Sequence, residues 1–84
     1  MIKSILLSAN DIEEINRIVM EQDKRATIQI SQNNINISAR SILGYHILDF
    51  SKPMNLIVYD YDTENIINKF SKWFVDSKTP TSKR

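Results

Sequence analysis

The stretch from Ala26 to Ala39 constrains the chain more than any other. Apolar residues at Ala26, Ile28 and Ile30 alternate with Thr27, Gln29 and Ser31, and the alternation resumes at Ile35, Ile37 and Ala39. A period of two sends successive side chains to opposite faces of a strand, so both runs read as strands with one buried face. Asn33-Asn34 lies between them. Asparagine tolerates positive φ, so the runs are expected to close into a tight hairpin. A lone two-stranded hairpin is marginal in water, and other elements have to cover its apolar face.

The flanking sequence supplies that cover. Residues 2–8 (IKSILLS) are rich in Ile and Leu and too short for a helix, so they read as a first strand. Asn10 precedes Glu13 by three residues in a capping-box arrangement, where apolar residues begin to recur at Ile12, Ile15, Ile18 and Val19. This helix runs to about Gln22. Ser41 is positioned to cap a short helix with its hydroxyl, and Ile42, Leu43, Tyr45, Ile47, Leu48 and Phe50 crowd it with apolar side chains. Such a helix is expected to be largely buried and to end at Lys52-Pro53. Residues 54–61 (MNLIVYDY) have the strongest strand composition in the chain. Asp62 or Thr63 then caps a last helix whose stripe is Ile66, Ile67, Phe70, Trp73 and Phe74. The order β-α-β-β-α-β-α implies an α+β two-layer sandwich, a four-stranded antiparallel sheet with helices on one face.

Composition narrows the function classes. Eighty-four residues carry 11 Lys/Arg against 10 Asp/Glu, a net charge of +1, so no whole-protein field points to nucleic acid or a membrane surface. Cysteine is absent, which removes disulfide scaffolds, zinc ribbons and thiol catalysis. One glycine and one histidine remove glycine-rich phosphate loops and multi-histidine metal sites, and no metal or other cofactor is expected. The apolar stretch Ile5-Leu6-Leu7 is broken at Ser8, far short of a secretion signal or membrane span, so a cytoplasmic protein is expected. Residues 1–76 read as one domain and residues 77–84 (SKTPTSKR) as a disordered polar tail.

Two topologies suit this element order. One is the ferredoxin-like split β-α-β, in which strand one lies between strands three and four. The other is the open-faced sandwich that places strand four between strands one and two. The stretch Asn36-Ile-Ser-Ala-Arg-Ser41-Ile-Leu-Gly44 resembles a motif written V-N-A-K-S-I-M-G in the HPr family, the phosphocarrier proteins of the bacterial sugar phosphotransferase system. The resemblance continues through a short helix, the Lys52-Pro53 turn, a strand and the acidic helix start at Asp62 and Glu64. It implies the second topology. Ser41 then matches the family's regulatory serine, Arg40 the preceding basic residue, and Ile42 and Leu43 the apolar pair that touches partner proteins. Counting back, the family's active-site histidine falls at Asn10, its arginine at Ile12 and the following proline at Glu13. An amide does not accept a phosphoryl group usefully and isoleucine cannot stabilise phosphate charge, so ordinary histidine phosphotransfer is not expected.

The remaining candidates are few. His46 is the single histidine, five residues after Ser41, and is read as a surface or packing residue rather than a phosphoryl relay. Ser41 is either a helix cap alone or also a phosphorylation site beside Arg40. Strand four is apolar on both faces, with Met54, Leu56 and Val58 on one and Ile57, Tyr59 and Tyr61 on the other, a set that Ile5 and Leu7 are expected to join. That second face suggests a homodimer or partner site, against the simpler reading of scattered exposed side chains. Base stacking on Tyr59 and Tyr61 is disfavoured because the glycine-aromatic motif and basic face of RNA-binding sheets are missing. Glu13-Glu14 and Asp60, Asp62 and Glu64 read as helix-start and turn charges. The expected protein is a non-catalytic HPr-like domain that binds another protein through Arg40, Ile42, Leu43 and His46. The alternative is a ferredoxin-like binding domain unrelated to sugar transport.

Overall fold

The hairpin forms as its pattern dictates. In the computed structural model, which describes residues 1–75, strands β2 (Thr27–Gln32) and β3 (Ile35–Ser38) pair antiparallel. They turn at Asn33, the one non-glycine residue with positive φ among the described residues, at 54°. Strand β1 (Ile2–Ile5) pairs with β4 (Met54–Tyr59), and β4 with β2, giving the antiparallel order β1-β4-β2-β3. Strand one therefore lies at an edge, so the ferredoxin-like arrangement is not adopted. Helices α1 (Ile12–Met20) and α2 (Thr63–Asn68) bury Ile15, Val19, Ile66 and Ile67 against the same core as Ile28, Ile30, Leu56 and Val58. No helix among the described residues is long and apolar enough to cross a membrane. The polar tail expected at 77–84 lies outside the described residues.

Several boundaries differ from the sequence expectation. Strand β1 stops at Ile5, opposite Met54 at the start of β4; on its outer side the Leu6 N–H donates to the Trp73 carbonyl, and the Val75 N–H donates to that of Ser4. Phe74 thereby bridges to Ile5, and the C-terminal end of the β1 edge is covered. The last helix accordingly does not run to Phe74: α2 ends at Asn68, and a 3₁₀ turn (Ser71–Trp73) returns the chain to the sheet. Its apolar stripe is still buried, with Phe70 and Trp73 in the core. The capping box lies two residues earlier than expected. The Asp11 carboxylate, not Glu13, accepts from the Ser8 N–H at 2.9 Å and hydroxyl at 3.1 Å, and a 3₁₀ turn (Ala9–Asp11) leads into α1. The Thr63 hydroxyl accepts from the Asp60 N–H and donates to the Asp60 carbonyl, so it fastens the turn before α2. The Asp62 side chain makes no capping bond.

Directly opposed residues of an antiparallel pair share a face, and the register fixes what each face carries. On the side away from the helices, Ile2, Ile57, Gln29 and Ser38 form one row, and Ser4, Asn55, Ser31 and Asn36 the next. Tyr59 and Thr27 lie beyond the first row. Ile5 and Leu7 do not join this set. Ile5 pairs with the core residue Met54, and both Ile5 and Leu7 are buried on the helix side.

Candidate partner-docking surface

The segment after β3 is a 3₁₀ helix, Ile42–Ile47, rather than a buried α-helix. At three residues per turn, side chains three apart eclipse, and the run divides into columns. Ile42, Tyr45 and Leu48 form the inward column, in which Tyr45 is fully buried and Ile42 is 45% exposed. Leu43 and His46 form the outward column, with Leu43 75% exposed. Gly44 and Ile47 form the third. A Cβ on Gly44 would lie 3.3 Å from the Ile37 Cβ, so the glycine lets this helix sit close on β3, while Ile47 is left 58% exposed. The expectation of a largely buried helix fails because its apolar residues occupy all three columns and only one column can face the core.

The backbone on both sides of this helix is tied down. The Tyr45 hydroxyl donates to the Ala39 carbonyl at 2.7 Å, and Asn16 of α1 donates from Nδ2 to the Ala39 and Arg40 carbonyls. Burial pushes the Tyr45 phenol up to about 12, so it remains a neutral donor at ordinary pH. On the far side, the buried Gln32 amide grips the chain from β2: Nε2 donates to the Asp49, Lys52 and Pro53 carbonyls and Oε1 accepts from the Asp49 N–H at 2.7 Å. The Ser51 N–H and hydroxyl donate to the Asp49 carboxylate, which holds that carboxyl below its usual range. Ile42, Leu43 and Ile47 are thus displayed on a pinned segment.

Ser41 is exposed at the start of this helix, and its hydroxyl makes no capping hydrogen bond. The expected cap is made by its backbone instead, whose carbonyl accepts from the Gly44 N–H at 3.0 Å. Arg40 turns away from Ser41. Its guanidinium donates to the Val19, Asp23 and Ala26 carbonyls, so it closes the C-terminal end of α1 and the turn that follows. Of the expected contact residues, the structure therefore brings Ser41, Ile42, Leu43 and His46 together on one exposed element and assigns Arg40 to the scaffold. Asn10 is exposed and Ile12 packs against the core, the two positions where the resemblance places a histidine and an arginine.

On the sheet, Ile57 and Tyr59 occupy the open face, whereas Tyr61 lies beyond the end of β4 and is fully exposed. A shallow groove of about 500 Å³ runs between Arg25, Thr27, Tyr59, Asp60 and Tyr61. The Arg25 guanidinium there is already engaged by the Asp23 carboxylate at 2.9 Å. Hydrogen bonds from Arg25 lower the exposed Asp23 carboxyl to about 2. Among the described residues no three His, Cys, Asp or Glu side chains cluster so as to hold a metal ion. Glu14 pairs with Lys72 at 2.9 Å across the helix layer.

Two features escaped the sequence reading. Ile47 belongs to the exposed set, and nothing in a continuous apolar run distinguishes it from its buried neighbours. Gln32 had a signal: it continues the phase of Ile28 and Ile30, so a polar residue at that position is directed inward. Compared with protein-family models, with curated proteins and with solved structures, the chain matches none of them.

Proposed function

We propose that this chain is an HPr-like protein that works by docking another protein against the Ile42–Ile47 helix, without carrying phosphate at the usual histidine position. The observation that carries this reading is the exposure of Ile42, Leu43 and Ile47, at 45%, 75% and 58%, within one six-residue element. Isolated exposed apolar residues are ordinary, but here Leu43 and Ile47 stand out on two columns of a segment whose backbone Tyr45 and Gln32 hold, with Ile42 half-exposed at its start. A partner suited to it offers an apolar seat for Leu43 and Ile47. The strand order β1-β4-β2-β3 supports the family reading, since it is the order that the resemblance implies. Asn10 and Ile12 support the loss of phosphotransfer.

Ser41 is the candidate regulatory position at the edge of this surface. Its hydroxyl is exposed and uncommitted to a cap. Arg40 is committed to three carbonyls, so a phosphate on Ser41 acts on the docked partner rather than by pairing with its neighbour.

The test compares wild-type protein with Leu43→Asp and Ile47→Asp as bait in the source cell, with circular dichroism confirming that both variants fold. A partner retained by wild type and lost by both variants supports the reading. Equal recovery by all three removes it. Incubation with the phosphotransferase system's first enzyme and phosphoenolpyruvate should leave the protein without acid-labile phosphate, and stoichiometric labelling would overturn that part of the proposal.

A further inference from the structure

The sheet face away from the helices has no charge on it. Two positions from each edge strand and three from each central strand point that way, ten in all, and none is Asp, Glu, Lys or Arg. This is notable in a chain that is 25% charged. All ten are half-exposed or exposed. At one corner, Ile2 lies directly opposite Ile57, with Tyr59 next along β4. Ile2 and Tyr59 are 57% and 58% exposed.

The chemistry of this face selects its occupant. Amide and hydroxyl side chains both donate and accept, so a surface composed of them is complementary to a copy of itself. None of its ten side chains is ionised, so covering them avoids the largest cost of burying a polar surface. A nucleic acid or an anionic membrane finds cations only at its rim, where the Met1 ammonium is held by the Val58 carbonyl at 2.9 Å and Arg25 is paired with Asp23. The C-terminal end of the β1 edge is occupied by Phe74, which shortens the edge available for strand pairing. We infer that two copies of this chain associate open face to open face about a two-fold axis, with the Ile2, Ile57 and Tyr59 corner of one copy against the same corner of the other.

Four strands of four to six residues span roughly 19 Å by 17 Å at standard strand spacings. A contact of that footprint falls at the small end of specific interfaces, below about 1,200 Å² in total, so the dimer is weak and forms at high micromolar concentration or above. The docking helix lies in the opposite layer, so the dimer and the proposed partner occupy different surfaces.

Sedimentation from low micromolar to near-millimolar concentration tests the inference. The wild-type mass should rise from 9.8 kDa toward twice that value. Ile57→Lys and the fully surface-lying Asn55→Lys each place like charges across the two-fold axis, and each should weaken association by about tenfold or more. Met20→Lys, at an exposed apolar position on α1, should leave it unchanged. Amide chemical shifts should move with concentration at Gln29, Asn55 and Ile57. A monomer at every concentration overturns the inference. So does a dimer that persists in both lysine variants, or shift changes confined to the outer edge of β3.

Discussion

The Tyr45 hydroxyl donates a 2.7 Å hydrogen bond to the carbonyl of Ala39, six residues earlier in the chain. Ala39 is fully buried at the end of the hairpin, and its N–H donates to the Ile28 carbonyl. One phenol therefore fastens the Ile42–Ile47 helix to the end of the hairpin. Tyr45→Phe keeps the ring in the core and removes only this bond. Because Asn16 still donates to Ala39, the carbonyl retains a partner, and the expected loss is ~1 kcal/mol in denaturant unfolding.

The same residue sets a response to high pH. In the unfolded chain the tyrosine ionises at its ordinary value of 10, whereas burial raises it to about 12 in the fold. Above pH 10 the unfolded state gives up a proton that the folded state keeps, so stability falls as pH rises from 10 toward about 12. The contribution is at most ~3 kcal/mol, at about 1.4 kcal/mol per pKa unit. Subtracting the profile of Tyr45→Phe, in which lysine titration is unchanged, isolates it; identical alkaline profiles would contradict the burial of this phenol.

Removing the Gln32 side chain should cost more. Gln32→Ala leaves the Asp49 N–H and the carbonyls of Asp49, Lys52 and Pro53 without the amide that joins them to β2. A loss of ~2–3 kcal/mol is expected, together with faster hydrogen exchange at the Asp49 amide. An apolar replacement such as Gln32→Met restores volume but not the bonds, and its amide exchange should remain fast.

Arg40 and Ser41 are adjacent and should respond in opposite ways. Arg40→Ala removes the guanidinium bonds to the Val19, Asp23 and Ala26 carbonyls, of which Val19 and Asp23 keep a backbone donor, with an expected cost of ~1–2 kcal/mol. Ser41→Ala removes a hydroxyl that caps nothing, so its effect should stay within about 0.5 kcal/mol instead of the ~1 kcal/mol usual at an N-cap. A full capping loss at Ser41 would contradict the geometry described here.

Acid should loosen the start of α1. The Ser8 N–H holds the Asp11 carboxyl below its ordinary value of 3.8, with further help from Trp73 and the Ser8 hydroxyl. A group whose folded pKa is lowered contributes stability that is present above its unfolded value and lost as pH falls through the folded value. Asp11→Asn should therefore be destabilising near neutral pH, and its difference from wild type should shrink below pH 3.8. A constant difference across that range would show that the carboxylate charge plays no part.

The hairpin, the alternation on its two faces and the amphipathic stripes of α1 and the C-terminal segment were legible because each is a local periodicity. Ile28 and Ile30 point inward wherever the sheet is placed, and Asn33 turns because its side chain tolerates positive φ. The candidate surface was legible in part: Ser41, Ile42, Leu43 and His46 do share one exposed element, but Arg40 beside them serves the end of α1. That role depends on Val19, Asp23 and Ala26, between 14 and 21 residues away, and no local pattern encodes it.

Sequence alone determined the strands, the approximate helices, the hairpin and the presence of Asn10 and Ile12 where the resemblance places a histidine and an arginine, since each follows from residue type or short-range spacing. Tertiary structure decided the rest. A continuous apolar run such as Ile42 to Leu48 does not state which of its members are buried, because that depends on the one direction from which the core meets it. Leu7 and Leu6 illustrate the same limit: adjacent, alike in chemistry, one buried and the other 42% exposed. Leu7 joins the core under the helices and Leu6 is left outside it, and the Leu6 N–H meets the Trp73 carbonyl only once the two ends of the chain have been brought together.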